Sequence, residues 1–407
     1  MTKGVIYHSI DISGDEIYAL GAEVNLSEGK ITNVCCQRSG VSGIKNGTIS
    51  ELGLFAESIA SVLDKLSLSS KTKIKSLHVA MRWPYSKAVH SSAVVPISGR
   101  SNKIITSTDI AKVNQQAYSL GLAIEERILY QAIQGYTIDI QTKVSSPLGL
   151  YGHKLGVELL LVSALNQDVE NLTSAVERSG YRVKALLLAP LASCLAVVPE
   201  AAKTKGCLFL DFGFDSTQML LFKDGILRGL ESFSFGSHNL NQALAAELRL
   251  EPHQAEEIKL SYGNALANHV SPEQEILLKK GQSYRPVKRK VICAVIENQL
   301  QVLFSALKER LATYSKSSDF PEGIIVNGRD ASIEGFLESL EAQLGLAAHL
   351  AKIIDAPLND ISYSACLGLV KHAISQYPRI NLFKLSSYGN IFQKILYKSK
   401  ELYQEYF

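Results

Sequence analysis

Cysteine, tryptophan and net charge are all scarce in this chain. The six cysteines, at 35, 36, 194, 207, 293 and 366, form no CxxC pair, which argues against a disulfide framework or a zinc site and for a reducing cytoplasm. With 42 basic and 39 acidic residues the net charge is only +3, so contact with an anionic partner has to come from a local patch. No stretch reaches about 18 uncharged apolar residues, so no membrane-spanning helix is expected. The opening MTKGVIYHSIDISGDEIYAL lacks the apolar core of a secretory signal. Also missing are GxxxxGK[ST], GxSxG and HExxH, and the nine histidines are isolated from one another. No catalytic residue and no metal ligand is assigned on these grounds.

What is present is a soluble-type composition, 46% hydrophobic over 407 residues, enough for two or more domains. VIYHSIDIS, EIYALGAEVN and ITNVCCQRSG alternate as strands. SELGLFAESIASVLDKLS carries a helical rhythm and KIKSLHVAM returns to a strand. From Arg82 to about Gly156 the texture changes to short strands, one helix (DIAKVNQQAYSLG) and the loop SSPLGLYGHK. A strand, a helix with Asn166 as its expected N-cap, and another strand come next, then the helical stretch LASCLAVVPEAAK. At Cys207 a second α/β unit opens with the grammar of the first. Each begins on a hairpin whose turn carries an acid and a glycine: Asp11–Ile12–Ser13–Gly14, then Asp211–Phe212–Gly213. Two halves with matching turns would set those turns face to face across a cleft.

Longer motifs go further than pattern. ILYQAIQGYTIDIQTKVSSPLGLYGHKL, VERSGYRVKALLLAPLAS, AEEIKLSYGNAL, IIVNGRDASIEGF and IDAPLN with YSACLGLV occur in that order. Together they resemble the bacterial cell-division protein family FtsA, from about residue 5 to 375. The resemblance implies an actin-like fold, with duplicated ribonuclease H-like α/β domains around a nucleotide cleft and an inserted small α+β subdomain. The expected boundaries are 1–81 with 157–205 for the first domain, 82–156 for the insertion and 206–375 for the second domain, whose smaller lobe covers about 237–303. A linker at 376–388 and an amphipathic helix at 389–407 complete the chain.

The family's nucleotide pattern maps onto Asp11, Ser13 and Gly14 in the first turn and Asp211, Gly213 and Ser216 in the second. It also maps onto Glu256 and Lys259, spaced i, i+3 on a helix, and onto Asn327, Gly328 and Arg329. Glycines there let backbone N–H groups approach phosphates, and acids act through Mg²⁺. Against the family's DxGGGTxD, this chain has Phe214 and Asp215 after Gly213, and Gln218 in place of the last acid. ATP and Mg²⁺ are therefore expected at a weakened site, or else the turns are plain hairpins. As a bare pattern, Glu256 and Lys259 also read as a solvated pair.

At the C-terminus, Ile391, Phe392, Ile395, Leu396, Leu402, Tyr403, Tyr406 and Phe407 recur at helical spacing among Lys394, Lys398 and Lys400. That fits a helix in the headgroup layer of an anionic membrane, or one docked on the protein itself. Lys279, Lys280, Arg285, Lys288, Arg289 and Lys290 read as a basic loop, solvated or facing a partner, with too few aromatics for nucleic acid. The resemblance implies a peripheral protein at the division septum, on the cytoplasmic side of the inner membrane. It would tether the FtsZ ring, associate with itself and recruit other division proteins, as a non-enzymatic scaffold or at most a slow ATPase. An active actin-like ATPase and a pilus- or secretion-type adaptor holding a membrane protein's tail are the alternatives.

Overall fold

In the computed structural model, residues 5–45, 47–83, 85–97, 104–139, 142–280, 283–314 and 319–376 are described. The expected linker and the C-terminal helix, with Ile391, Phe392, Lys394, Ile395, Leu396, Lys398, Leu402, Tyr403, Tyr406 and Phe407, lie outside the described residues. The chain forms two compact units. One comprises Met1–Ala88, Glu125–Tyr130 and Val162–Ser375; the other contains Val89–Ile124 and Gln131–Leu161.

The larger unit holds two five-stranded sheets of one design. In the first the order is Arg182–Leu188, Ser76–Met81, Val5–Ile12, Glu16–Asn25, Lys30–Gly40. In the second it is Ile226–Phe233, Thr217–Lys223, Cys207–Phe212, Ile324–Asn327, Ala348–Leu350. Each opens as an antiparallel three-strand meander, and the first strand then pairs in parallel with a strand supplied much later in sequence. Helices on both faces explain why Cys207–Phe212 is buried at every position and reads as an unbroken apolar run apart from Asp211. The register fixes the neighbours of both acids: Asp11 lies opposite Ala80 and Asp211 opposite Asn327 on their parallel partner strands.

The second half is built on the helix Arg289–Tyr314, whose apolar face includes Ile292, Ile296, Leu300, Leu303, Phe304 and Leu307. Phe304 meets the ring of Phe336 edge-on at 5.3 Å, and Phe336 meets Phe212 at the same distance. By length and composition this helix could cross a membrane, where the sequence was expected to offer no such segment. Its buried apolar face is spent instead on the core of this half. The smaller unit is a sheet ordered Lys87–Pro96, Lys154–Leu165, Glu126–Ile138, Thr142–Val144, with the helix Ser107–Gly121. Thr106 and Asp109 form a capping box at that helix, and Asn114 Nδ2 ties it to Tyr136 Oη at 3.0 Å.

Three local expectations are corrected. The stretch Lys279–Lys290 is no loop: Glu275–Lys280 and Ser283–Lys288 pair as an antiparallel hairpin, and Arg289 begins a helix. Its driving force is period-two burial, with Ile276, Leu278 and Val287 inward and Leu277 and Tyr284 exposed. Asn166 is the first helical residue and Leu165 the cap, and the Asn166 amide reaches forward to Glu170. LASCLAVVPEAAK is two helices, Ala189–Val197 and Glu200–Lys205, parted at Pro199.

On the inner strand Ser76–Met81, His78 is buried against the Tyr7 ring at 5.9 Å, and neither ring nitrogen has a hydrogen-bond partner among the described residues. Burial, with the Lys184 ammonium and His372 nearby, pushes its pKa down to about 4. The imidazole folds neutral, while an unfolded chain protonates it near 6.5. Stability should therefore be fully present above pH 6.5 and fall as pH drops toward 4. Urea titrations across that range should show His78→Phe flattening the loss relative to the unsubstituted chain.

Candidate functional site

Asp11 and Asp211 sit one residue from the carboxyl ends of the central strands, where open α/β sheets place their ligands. Both are buried, at 2% and 1% exposure. Two carboxylates in a shared interior repel, and each is costly to keep charged without a cation. The cation is Arg82, one residue beyond the end of Ser76–Met81. Its Nε donates to Asp211 Oδ2 at 3.0 Å, its Nη1 to Asp11 Oδ2 at 3.3 Å and its Nη2 to Asp211 Oδ1 at 3.4 Å. Asn327 Nδ2 adds a fourth donor, 2.7 Å from Asp211 Oδ1, and is itself held by Ser364. Burial would lower the Arg82 pKa, but the two carboxylates outweigh it and hold the guanidinium above its ordinary value. For Asp11 burial dominates and pushes the carboxyl up, against the pull of Arg82.

The two turns above this triad close on each other. A Cβ placed on Gly14 would collide with the Asp215 carboxylate and lie 2.8 Å from the Phe214 ring, so the second turn packs directly onto the first. At Gly213 an added Cβ would sit 2.8 Å from the Ser216 carbonyl oxygen and 3.1 Å from Arg82 Cδ: the absent side chain makes room for both the turn and the arginine. Two of the turn amides are engaged within their own turns, Ser13 N–H on the Glu16 carbonyl at 2.9 Å and Gly213 N–H on the Ser216 carbonyl at 3.1 Å. Phe214 is fixed by the His238 ring at 5.0 Å. Burial pushes the Asp215 carboxyl up, with His238 pulling the other way. Gln218 is buried under Trp83, Ser86 and Ser232 and takes no part in the cleft.

At the mouth stands Arg329. Its Nη2 lies 2.8 Å from Glu256 and 3.7 Å from Asp15, and its Nη1 3.5 Å from Glu16. Burial works against its charge, but Asp330, Tyr18, Asp15 and Glu256 raise its pKa. Lys259, with no exposed side-chain surface, donates to Asp330 Oδ2 at 2.5 Å. Glu256 and Lys259 are each bound to a neighbour, Arg329 and Asp330, and neither lines the cavities beside the turns. Asp11, Ser13, Gly213, Asn327, Gly328 and Arg329 line one cavity; Gly14 and Ser216 line a smaller one beside it.

Two family models agree on the chain: "Cell division protein FtsA" matches residues 208–368 and "SHS2 domain inserted in FTSA" matches 85–163, together more than half of it. The chain belongs to the FtsA family. FtsA of Pseudomonas aeruginosa is 25% identical over 382 residues, covering 92% of this chain and 90% of the relative. FtsA of Escherichia coli K12 is 26% identical over 381 residues, with 89% of each covered. Among solved structures, a PilM–PilN type IV pilus biogenesis complex aligns with TM-score 0.64 at 16% identity, over 91% of this chain and 99% of the other. MreB5 of Spiroplasma citri bound to ADP aligns with TM-score 0.55 at 11% identity, over 91% and 98%. These likenesses establish an actin-like fold.

For an FtsA-family cleft, the residues as arranged do not fit a magnesium nucleotide. The two acids that would serve the metal are occupied by a guanidinium, and the gap between the turns is filled by Phe214 and Asp215. The larger cavity measures about 60 Å³, room for a few waters at ~10–15 Å³ each, against ~300–1,000 Å³ for ordinary ligand pockets. Among the described residues no three His, Cys, Asp or Glu cluster as metal ligands.

The basic hairpin is divided in role. Arg285 and Lys288 are exposed, while Arg289 is used internally, on the Tyr262 carbonyl at 2.9 Å and on Glu334 at 3.2 Å. Lys279 and Lys280 lie on the strand Glu275–Lys280, and Lys290 in the first turn of the long helix. Arg82 was not foreseen as a site residue. Its signal was an arginine directly after the apolar strand LHVAM, at the end where such sheets bind ligands.

Breaking the buried Lys259–Asp330 pair leaves a charge without a partner. Lys259→Ala should cost about 3–5 kcal/mol in chemical denaturation. Lys259→Met/Asp330→Leu, which removes both charges, should restore most of it.

Proposed function

We propose that this chain is a scaffold of the bacterial division ring, holding FtsZ to the cytoplasmic face of the inner membrane as a peripheral protein. The observation that carries this reading is the inserted module at residues 85–163, matched as the FtsA insertion within a chain alignable over nine-tenths of its length with FtsA relatives. An exposed basic edge, Arg285 and Lys288 with Leu277 and Tyr284, offers an acidic segment of FtsZ both charge and apolar contact. The C-terminal stretch 389–407 supplies the anchor to anionic lipid, with lysines beside large apolar side chains. Self-association and recruitment of other division proteins complete the role.

Nucleotide association is weak in this reading. The fold shared with an ADP-bound MreB5 supports a nucleotide site in this cleft, at which ATP with Mg²⁺ has to displace ion pairs already made. Steady ATP turnover is not part of the function. The PilM–PilN alignment favours one second reading, an adaptor for the tail of a pilus membrane protein. Sedimentation separates the two. The chain should pellet with FtsZ filaments, and Arg285→Glu/Lys288→Glu should weaken this about tenfold or more, ~1.4 kcal/mol. Deleting 389–407 should abolish flotation with phosphatidylglycerol-containing liposomes while leaving FtsZ binding intact. No pelleting with FtsZ would remove the division reading; unchanged flotation would remove the anchor.

A further inference from the structure

Arg82 and Arg329 occupy equivalent places in the two halves. Asp11 pairs across the sheet with Ala80, and Arg82 comes two residues later; Asp211 pairs with Asn327, and Arg329 comes two residues later. Each arginine crosses to the other half. Arg82 leaves the first half to take both oxygens of Asp211 while keeping Asp11. Arg329 leaves the second half to reach Asp15 and Glu16 while keeping Glu256. One bridge lies at the floor of the cleft, the other at its mouth, and between them the Phe214–Asp215 turn packs on Gly14. We propose that this pair of arginines takes the place of metal and nucleotide, so that the two halves are held in one arrangement by the chain alone.

The chemistry supports substitution and not mere crowding. A guanidinium presents several N–H donors in a rigid plane and stays charged when buried, so it can satisfy two carboxylates at once where a lysine would satisfy one. Arg82 is 15% exposed between partners of 3% and 1%, a largely buried site in which such pairs are hard to exchange. Gly213 serves the arginine by leaving space for its Cδ, the service a glycine in such a turn would otherwise give a phosphate. The inference stands apart from the division role: it concerns what holds the cleft closed, whatever the scaffold binds.

The test is thermal melting of the intact chain in EDTA, in Mg²⁺ and in Mg²⁺ with ATP. The unsubstituted protein should melt at one temperature in all three. Arg82→Ala uncovers Asp11 and Asp211 to each other. It should melt about 4–6 °C lower in EDTA and regain at least half of the loss in Mg²⁺. Arg82→Ala/Asp211→Asn should show no such regain, because one carboxylate no longer needs a cation. A rise of about 3 °C or more with Mg²⁺ and ATP in the unsubstituted chain would overturn the proposal, and this arm requires no variant to fold. An Arg82→Ala protein indifferent to Mg²⁺ would overturn it as well. Hydrogen exchange supplies the bridging readout: Arg329→Ala should speed exchange on both turns, residues 13–16 and 213–216, and unchanged exchange there would contradict the bridge at the mouth.

Discussion

Two carboxylates, Asp11 and Asp211, are buried on strands that everything else in the larger unit packs around, and one guanidinium answers both. Each acid sits near the end of the first strand of its half, and Arg82 follows directly on the strand beside Asp11. The pairing therefore ties three strand ends from both sheets into one ionic cluster. Without a cation the two sheets would bring like charges together in a low-dielectric interior, a cost of several kcal/mol per ion. Asn327 extends the cluster into the second half's strand Ile324–Asn327, and Ser364 into the helix Ser364–Gln376, whose Ala365 and Leu369 pack with Ala80 and Leu187 of the first half.

The rest of the cleft is consistent with that arrangement. Beyond Gly213 the bulk is absorbed by the cleft itself: Phe214 packs tilted on His238 and Asp215 fills the space above Gly14. Glu256 and Lys259 keep their charges but direct them to Arg329 and Asp330. An actin-like fold, duplicated from one sheet plan, thus has its central opening lined by polar groups that are mostly satisfied from within. For a division-ring scaffold, a shape independent of bound ligand is a coherent property, since the partner surfaces would be presented at all times.

Much of the fold was legible in residues. The hairpin grammar at Asp11 and Asp211, the apolar runs of inner strands and the 3.6-residue rhythm of the helices mark two α/β halves, because burial imposes those periods directly. PLGLYGHKL and AEEIKLSYGNAL identify the family as ordered motifs. Arg82 was not legible as part of the site, since its role exists only once Ser76–Met81 lies beside Val5–Ile12 and two distant halves meet. Its one local signal, an arginine directly after the apolar strand LHVAM, is shared with surface arginines that follow strands. The basic segment misleads for a different reason: its charges hide the alternation of Ile276, Leu278 and Val287, which turns it into a hairpin.

The most direct measurement is a crystal structure of the intact chain grown with magnesium and ATP in excess. Density for the Arg82 guanidinium between Asp11 and Asp211, with no metal between the carboxylates and the Phe214–Asp215 turn still on Gly14, is the predicted result. A magnesium ion bridging toward phosphate oxygens, with Arg82 swung out of the cleft, would contradict it.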